Sequence, residues 1–184
     1  DDIIRFLENI KNPDYSGVVT KAKFLDQKVS SFLFDNESEV NLFLHYTTSE
    51  KVAKTILQNG FKFVNSFYKT AEYIYNDELY LIHRHHEHKQ FGDYVIVICI
   101  SKELFKKYTS ELNKIKSKNI AVEQLLTETP PSLDENAEEV YTLPKQFIKG
   151  YFNYTNGDIV RNPDFDYHYN SDSFENNLQK LVHH

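Results

Sequence analysis

The sequence contains one cysteine, no methionine and no tryptophan among its 184 residues. Because Cys99 has no cysteine partner, an intramolecular disulfide and a zinc site built from cysteines are both excluded. The lack of methionine, even at the first position, predicts a segment of a longer polypeptide or a processed chain. No run approaches the roughly 18 apolar residues of a transmembrane helix, so we expect a soluble protein.

Basic residues are fewer than acidic residues, with 21 Lys and Arg against 27 Asp and Glu. The resulting net charge of −6 is opposite in sign to the basic surface of a general nucleic-acid-binding protein, although a local basic patch is compatible with it. Hydrophobic residues make up 40% of the chain and include 13 Tyr and 14 Phe. This composition predicts one domain with a core rich in aromatic side chains.

The hydrophobic pattern divides the chain into three parts. Residues 1–40 predict an N-terminal helical extension, because a helical stripe comes first and a second helical stretch runs from Lys21 to Leu33. Residues 41–155 alternate short β-rich runs with helical ones and predict a mixed α and β core. Residues 156–184 predict a hairpin strand after Asn156-Gly157 and a polar tail that wraps the surface, packs on the core and ends in a short helix. The first stripe consists of Ile3, Ile4, Leu7 and Ile10.

Within the core, VNLFLHYT predicts a strand and is followed at once by a helix that Gly60 ends. Thr47 and Glu50 have the spacing of a capping box at the start of that helix. FKFVN predicts a strand, FYKTAEYIYND a short helix and DYVIVICI a fully buried strand. A lysine-rich amphipathic helix is expected from Lys102, followed by an acidic loop that leads into the strand EEVYTL.

Two groups of side chains in this core are candidates for chemistry. His45 ends a predicted strand, where an imidazole can hydrogen-bond a hydroxyl or carbonyl of a ligand; a histidine packed in the core is the alternative. Glu138 and Glu139 begin another strand after a long loop, where a carboxylate can bind a ribose diol or stabilise a cationic transition state. The alternative for this pair is a solvated acidic end to an acidic loop.

The order of these parts resembles the ADP-ribosyltransferase superfamily, and in particular its His-Tyr-Glu branch of poly(ADP-ribose) polymerases and bacterial toxin and effector transferases. The resemblance spans residues 41–155 and is strongest in HYTTSEKVAKTILQNGF and AEEVYTLPKQFIKGYF. It implies an α+β fold of two small packed sheets around an NAD cleft. It also implies a protein of the cytoplasm, or one that is delivered into the cytosol of a target cell.

The resemblance assigns roles to named residues. His45 matches the family histidine that hydrogen-bonds NAD hydroxyls, with Tyr46 and Thr47 beside it at the cofactor. Glu139 matches the catalytic glutamate, which would bind the nicotinamide-ribose 2′-hydroxyl and stabilise the oxocarbenium-like transition state. Glu138 is the rival, because its spacing to Gln146 and Tyr151 fits the polymerase pattern better.

The aromatic residue that stacks on nicotinamide in this family has no direct counterpart, because the polymerase-like register places Lys62 at its position. Tyr68 is the best substitute, with Phe67 and Tyr73 as alternatives. The loop from Leu125 to Ala137 resembles the one that recognises the acceptor, and its acids suggest a basic acceptor surface or simply a soluble loop.

The sequence also contains a histidine cluster, IHRHHEHKQ. Neutral imidazoles suit zinc or copper, but no cysteine joins them and the HExxH motif is absent, so a polar loop near the ligand cleft is favoured over a metal site. Arg84 in this stretch is a candidate contact to a ligand phosphate. The histidines are His83, His85, His86 and His88.

The function expected from the resemblance is an NAD-dependent mono-ADP-ribosyltransferase, with NAD as substrate and a protein or nucleic acid as acceptor. A non-catalytic binding module on the same fold is the main alternative, because the nicotinamide-stacking tyrosine is uncertain. An NAD glycohydrolase is the third reading and differs only in that water replaces the acceptor.

Overall fold

The computed structural model describes residues 27–65, 72–74, 92–115 and 119–183. In these residues the strands are β1 (Val40–Thr47), β2 (Phe61–Val64), β3 (Glu72–Ile74), β4 (Tyr94–Ser101), β5 (Ser132–Leu133), β6 (Glu139–Leu143), β7 (Ile148–Asn153) and β8 (Ile159–Arg161). The α-helices are α1 (Gln27–Phe34), α2 (Glu50–Asn59), α3 (Lys102–Lys114), α4 (Val122–Leu125) and α5 (Asp172–Val182), and a 3₁₀ turn spans Lys145–Phe147.

Two antiparallel sheets organise these elements. The larger sheet has the strand order β3-β1-β4-β7-β8, and the smaller has the order β2-β6-β5. The expected α+β class with two small sheets is therefore confirmed.

Strand β4 lies at the centre of the larger sheet and is apolar on both faces. Its residues from Val95 to Ser101 are all buried, as the sequence predicted for DYVIVICI. Ile96, Ile98 and Ile100 face the smaller sheet, whereas Val95, Val97 and the free Cys99 face the other way. Each face of the larger sheet consequently needs its own apolar cover.

The first face is covered by the smaller sheet and by helices α2, α3, α4 and α5. Phe61 and Phe63 from β2 and Leu143 from β6 pack in this layer against Phe43 of β1. Helix α5 adds Phe174 and Leu178, which are 0% and 2% exposed. The amphipathic helix at the end of residues 156–184 thus completes the main core.

Helix α1 covers the opposite face of the larger sheet. Val29, Phe32 and Leu33 are fully buried there against β1, β4 and β7. The helix expected from Lys21 to Leu33 is thus confirmed over its described part, and it packs on the face that points away from the smaller sheet. The stripe from Ile3 to Ile10 lies outside the described residues.

Helix α2 begins and ends at residues that the sequence identifies almost correctly. Its N-cap is Ser49, whose Oγ accepts a hydrogen bond from the Val52 N–H at 3.3 Å, so the capping box expected at Thr47 and Glu50 is wrong by two residues. Gly60 ends the helix with φ at 95°, as expected. A Cβ on Gly60 would lie 2.3 Å from the Leu143 carbonyl oxygen, which excludes other residues.

Two expected elements are corrected. Residues 72–74 form strand β3 rather than part of a helix, because they pair with the free edge of β1 in the register Leu42↔Ile74. The segment expected as a loop between Leu125 and Ala137 contains strand β5, which pairs with the start of β6. The hairpin at Asn156-Gly157 is confirmed by the pairing of β7 with β8.

Strand β7 contains a β-bulge next to β4. Val97 pairs with Gly150 and Ile98 with Ile148, so Lys149 is the extra residue. Its side chain is 3% exposed, forms an ion pair with Asp35 just after α1, and lies 5.4 Å from the Phe32 ring centroid. Through this ion pair, the extra residue of the bulge links β7 to the end of helix α1.

We expect Phe32→Ala to lower the free energy of unfolding by about 3–5 kcal/mol, because it removes a fully buried ring between α1 and the sheet. Urea denaturation measures this loss. Val52→Ala, on a side chain that is 45% exposed, is the control and should change stability by less than about 0.5 kcal/mol. Equal small effects would show that α1 contributes little to the fold.

Candidate functional site

His45 lies near the end of β1 on the face that points toward the smaller sheet. Strand alternation places it on the same face as Phe43 and Thr47. The side chain is half-buried, and its ring lies 4.9 Å from that of Phe61 in an edge-to-face arrangement. The imidazole is therefore situated where β1 meets the first strand of the smaller sheet.

Tyr46 and Thr47 do not join His45 in the way expected. Tyr46 is 8% exposed and packs on the opposite face of the sheet, against the cluster that α1 covers. Since neighbouring residues of a strand point to opposite faces, its ring cannot share a ligand with the His45 ring. The Thr47 hydroxyl accepts a hydrogen bond from the Ser49 N–H at 3.3 Å and thus supports the turn into α2.

Tyr151, Glu50 and Tyr94 form a group of contacts at the start of α2 that the sequence did not predict. Tyr151 on β7 and His45 on β1 both pair with Ile96 of β4, which lies between them in the sheet. The buried Tyr151 hydroxyl donates a hydrogen bond of 2.8 Å to Glu50 at the start of α2, and the Tyr151 ring meets that of Tyr94 edge to face. Burial first, and then the bond to Glu50, raise the pKa of Tyr151. In the sequence, only the predicted start of a helix at Glu50 pointed to this group.

Glu139 is the first residue of β6 and is exposed. Its side chain lies on the same face of the strand as Tyr141 and Leu143. The Tyr141 hydroxyl donates a hydrogen bond of 2.6 Å to Glu139 Oε2, and the Tyr141 ring stacks on Phe63 at 5.6 Å. The carboxylate is thus held by an aromatic side chain that is itself packed against the core.

Glu138 is exposed and belongs to the turn between β5 and β6. Its N–H donates to Asp134 Oδ1 at 2.9 Å, and Ala137 before it has a φ of 60°. As the neighbour of Glu139, it points toward the outer face of the smaller sheet, which also carries the exposed Lys62. The two glutamates consequently face different surroundings.

The pairing of β2 with β6 relates the position of His45, which contacts β2, to that of Glu139 on β6. Phe61, which touches His45, pairs with Leu143 at the end of β6, and Glu139 lies four residues earlier, at the start of that strand. At roughly 3.4 Å per residue this separation is about 14 Å along the strand. Phe61 and Phe63 are 2% and 1% exposed and fill the space between these points on the inner face. His45 on β1 and Glu139 on β6 therefore belong to different sheets, and the ring contact between His45 and Phe61 joins the two sheets at this point.

A cavity of about 330 Å³ adjoins Glu139 and Tyr141. Helix α5 contributes Lys180 to its wall, and the segment before β5 contributes Glu128. Glu128 Oε2 accepts hydrogen bonds from the Tyr169 hydroxyl at 2.8 Å and from Ser171 Oγ at 3.4 Å. His45 does not line this cavity, so the convergence of histidine and glutamate on one cleft is not seen among the described residues.

The remaining candidates, Tyr68, Arg84 and the histidines from His83 to His88, lie outside the described residues, as does Phe67. Tyr73 lies on β3 next to β1. Within the described ranges, no group of three or more His, Cys, Asp or Glu residues could hold a metal ion. None of the helices in the described part of the chain is long and apolar enough to cross a membrane.

No family model, curated protein or solved structure matches this chain. The assignment of a function therefore depends on the residues and their geometry.

We expect the hydrogen bond between Tyr151 and Glu50 to contribute about 1 kcal/mol to stability, because it joins β7 to the start of α2. A double-mutant cycle with Tyr151→Phe and Glu50→Ala, read by urea denaturation, measures it. Glu50→Gln keeps an acceptor oxygen and should lose less than Glu50→Ala. Additive effects of the two substitutions would contradict the expected coupling.

Proposed function

We propose that this chain is an NAD-dependent mono-ADP-ribosyltransferase acting on a macromolecular acceptor, of the kind found in toxin and effector domains. The observation that supports this best is the pairing of β2 with β6, which links the residue that touches His45 to the strand that begins at Glu139. These residues are far apart in the sequence, and the resemblance to the ADP-ribosyltransferase superfamily requires both.

The separation of His45 from Glu139 favours an extended ligand. His45 touches Phe61 beside one end of β6, and Glu139 begins the other end about 14 Å away along that strand, a span that a dinucleotide can cover and a small substrate cannot. In this proposal His45 hydrogen-bonds ribose hydroxyls of NAD and fixes its orientation. Glu139 binds the 2′-hydroxyl of the nicotinamide ribose at the other end.

Catalysis in this arrangement depends on charge. When the bond between the ribose and nicotinamide breaks, nicotinamide leaves with the bonding electron pair and the ribose gains positive charge. The Glu139 carboxylate stabilises that charge in the transition state. A nucleophile of the acceptor then forms a bond to the anomeric carbon from the opposite face and gives up its proton.

Glu138 is the alternative carboxylate. It lies on the outer face of the smaller sheet, the face that also carries Lys62. We prefer Glu139, because Tyr141 fixes its carboxylate, whereas Glu138 bonds to other described residues through its backbone.

The acceptor is expected to be basic. Residues 128–139 contain five acidic and no basic side chains. Such a surface attracts a Lys- or Arg-bearing protein and repels a nucleic acid. The acids are Glu128, Asp134, Glu135, Glu138 and Glu139.

A non-catalytic binding module is the second candidate. It is favoured by the buried Phe61 and Phe63, which occupy the inner face between the histidine and the glutamate. An NAD glycohydrolase, in which water replaces the acceptor, remains a variant of the first proposal.

We expect Glu139→Gln to reduce nicotinamide release from labelled NAD by about 100-fold or more, while NAD binding weakens much less, because the lost charge acts on the transition state. Glu138→Gln is the matched variant and should have a far smaller effect. Incubation with a cell lysate separates transfer from hydrolysis, because only a transferase labels macromolecules.

The opposite ranking of the two variants would move the catalytic role to Glu138. Equal, small effects at both positions would contradict the transferase assignment. NAD binding by the parent chain without any nicotinamide release would identify the binding module instead.

A further inference from the structure

Tyr141 is the middle residue of β6 and contacts both the core, through its ring, and the carboxylate of Glu139, through its hydroxyl. It pairs with Phe63 on the neighbouring strand, and the two rings stack with an interplanar angle of 21°. Phe63 is 1% exposed, so this stack fixes the Tyr141 ring against a rigid part of the core. Only the phenol hydroxyl extends from the stack toward the end of the strand.

Among the described residues, the Glu139 side chain has no comparable support from packing. It is exposed at the first position of β6, and a glutamate there would otherwise sample several rotamers. The hydrogen bond of 2.6 Å from the Tyr141 hydroxyl to Oε2 selects one of them. This bond fixes Oε2 toward Tyr141 and turns Oε1 the other way, so Oε1 is an acceptor well placed for a ligand hydroxyl.

We propose that Tyr141 is a positioning residue for Glu139: it holds the carboxylate in one orientation so that Oε1 meets the ribose at the reacting carbon. This inference rests on the proposed function and identifies a further residue on which the reaction depends. A carboxylate that is already oriented stabilises the transition state without first losing rotamer freedom.

The protonation state of Tyr141 agrees with this role. Burial and the hydrogen bond to Glu139 raise the pKa of Tyr141 to about 12. The hydroxyl therefore stays protonated at neutral pH. It can donate a hydrogen bond to the carboxylate throughout the pH range in which enzymes usually work.

The chain offers a matched control in Tyr169. Its ring packs against Phe147 and Phe174, and its hydroxyl donates a hydrogen bond of 2.8 Å to Glu128. Tyr169→Phe thus removes the same chemical group from a similar pair that does not include Glu139. A general loss of stability should affect both variants alike.

We expect Tyr141→Phe to lower kcat for nicotinamide release by about tenfold or more and to leave KM for NAD nearly unchanged, because the ring stack is kept and only the orientation of Glu139 is lost. Tyr169→Phe should retain the parent kcat. In a Glu139→Gln background, adding Tyr141→Phe should have little further effect, because the residue acts through the carboxylate.

A measurement without turnover tests the contact itself. NMR of tyrosine ring carbons in the intact chain follows the titration of Tyr141, whose pKa should fall in Glu139→Gln by the part due to Glu139, while burial still holds it above its ordinary value. An unchanged pKa would show that the hydrogen bond is not formed in solution and would overturn the inference.

The kinetic outcomes separate the inference from the proposed function. If the parent chain releases nicotinamide and Tyr141→Phe does so at the same kcat, the inference alone is wrong. The same conclusion follows if Tyr141→Phe and Tyr169→Phe lower kcat equally. If the parent chain releases no nicotinamide, the proposed function fails and the positioning role fails with it.

Discussion

The two apolar faces of β4 are the constraint on which the rest of the described structure depends. A strand buried on both sides must lie inside a sheet that is covered twice, and each cover must come from another part of the chain. Helix α1 covers one face, and the smaller sheet with helices α2 to α5 covers the other. Burial of apolar surface thus decides where the site residues can lie.

In this arrangement His45 and Glu139 are held in position by different interactions. His45 is carried by β1, which pairs along its whole length with β4. Glu139 is carried by a sheet that reaches the core only through Phe61, Phe63, Tyr141 and Leu143. The relation between the two side chains therefore depends on side-chain packing between two sheets, and not on hydrogen bonds within one sheet.

Local patterns in the sequence predicted much of the fold. The apolar run of β4, the stop at Gly60 and the turn at Asn156-Gly157 each follow from the conformational preferences of a few neighbouring residues. The N-cap was placed at Thr47 rather than Ser49, because several hydroxyl residues follow each other there and their spacing to an acid does not distinguish them. Residues 72–74 were expected to be helical, because pairing with β1 is a distant contact that the local pattern does not contain.

The candidate site was less predictable for the same reason. The residue types of His45 and Glu139 suggested chemistry, but the side chains that contact them, the Phe61 ring and the Tyr141 hydroxyl, come from the paired strands β2 and β6. Tyr46 was grouped with His45 because the two are adjacent in the sequence, although alternation along a strand separates their side chains. Only the register of the strands shows which neighbours a side chain has.

The bulge at Lys149 has a consequence for the register of β7. If the strand slipped by one residue against β4, Tyr151 would turn toward α1 and Phe152 toward the smaller sheet. Lys149 would then carry its charge away from Asp35 into an apolar layer, which is unfavourable by several kcal/mol. Gly150 adds a steric limit, because a Cβ there would lie 2.2 Å from the Val160 carbonyl oxygen. One charged side chain on the far face of the sheet thus keeps Tyr151 on the face where its hydroxyl reaches Glu50.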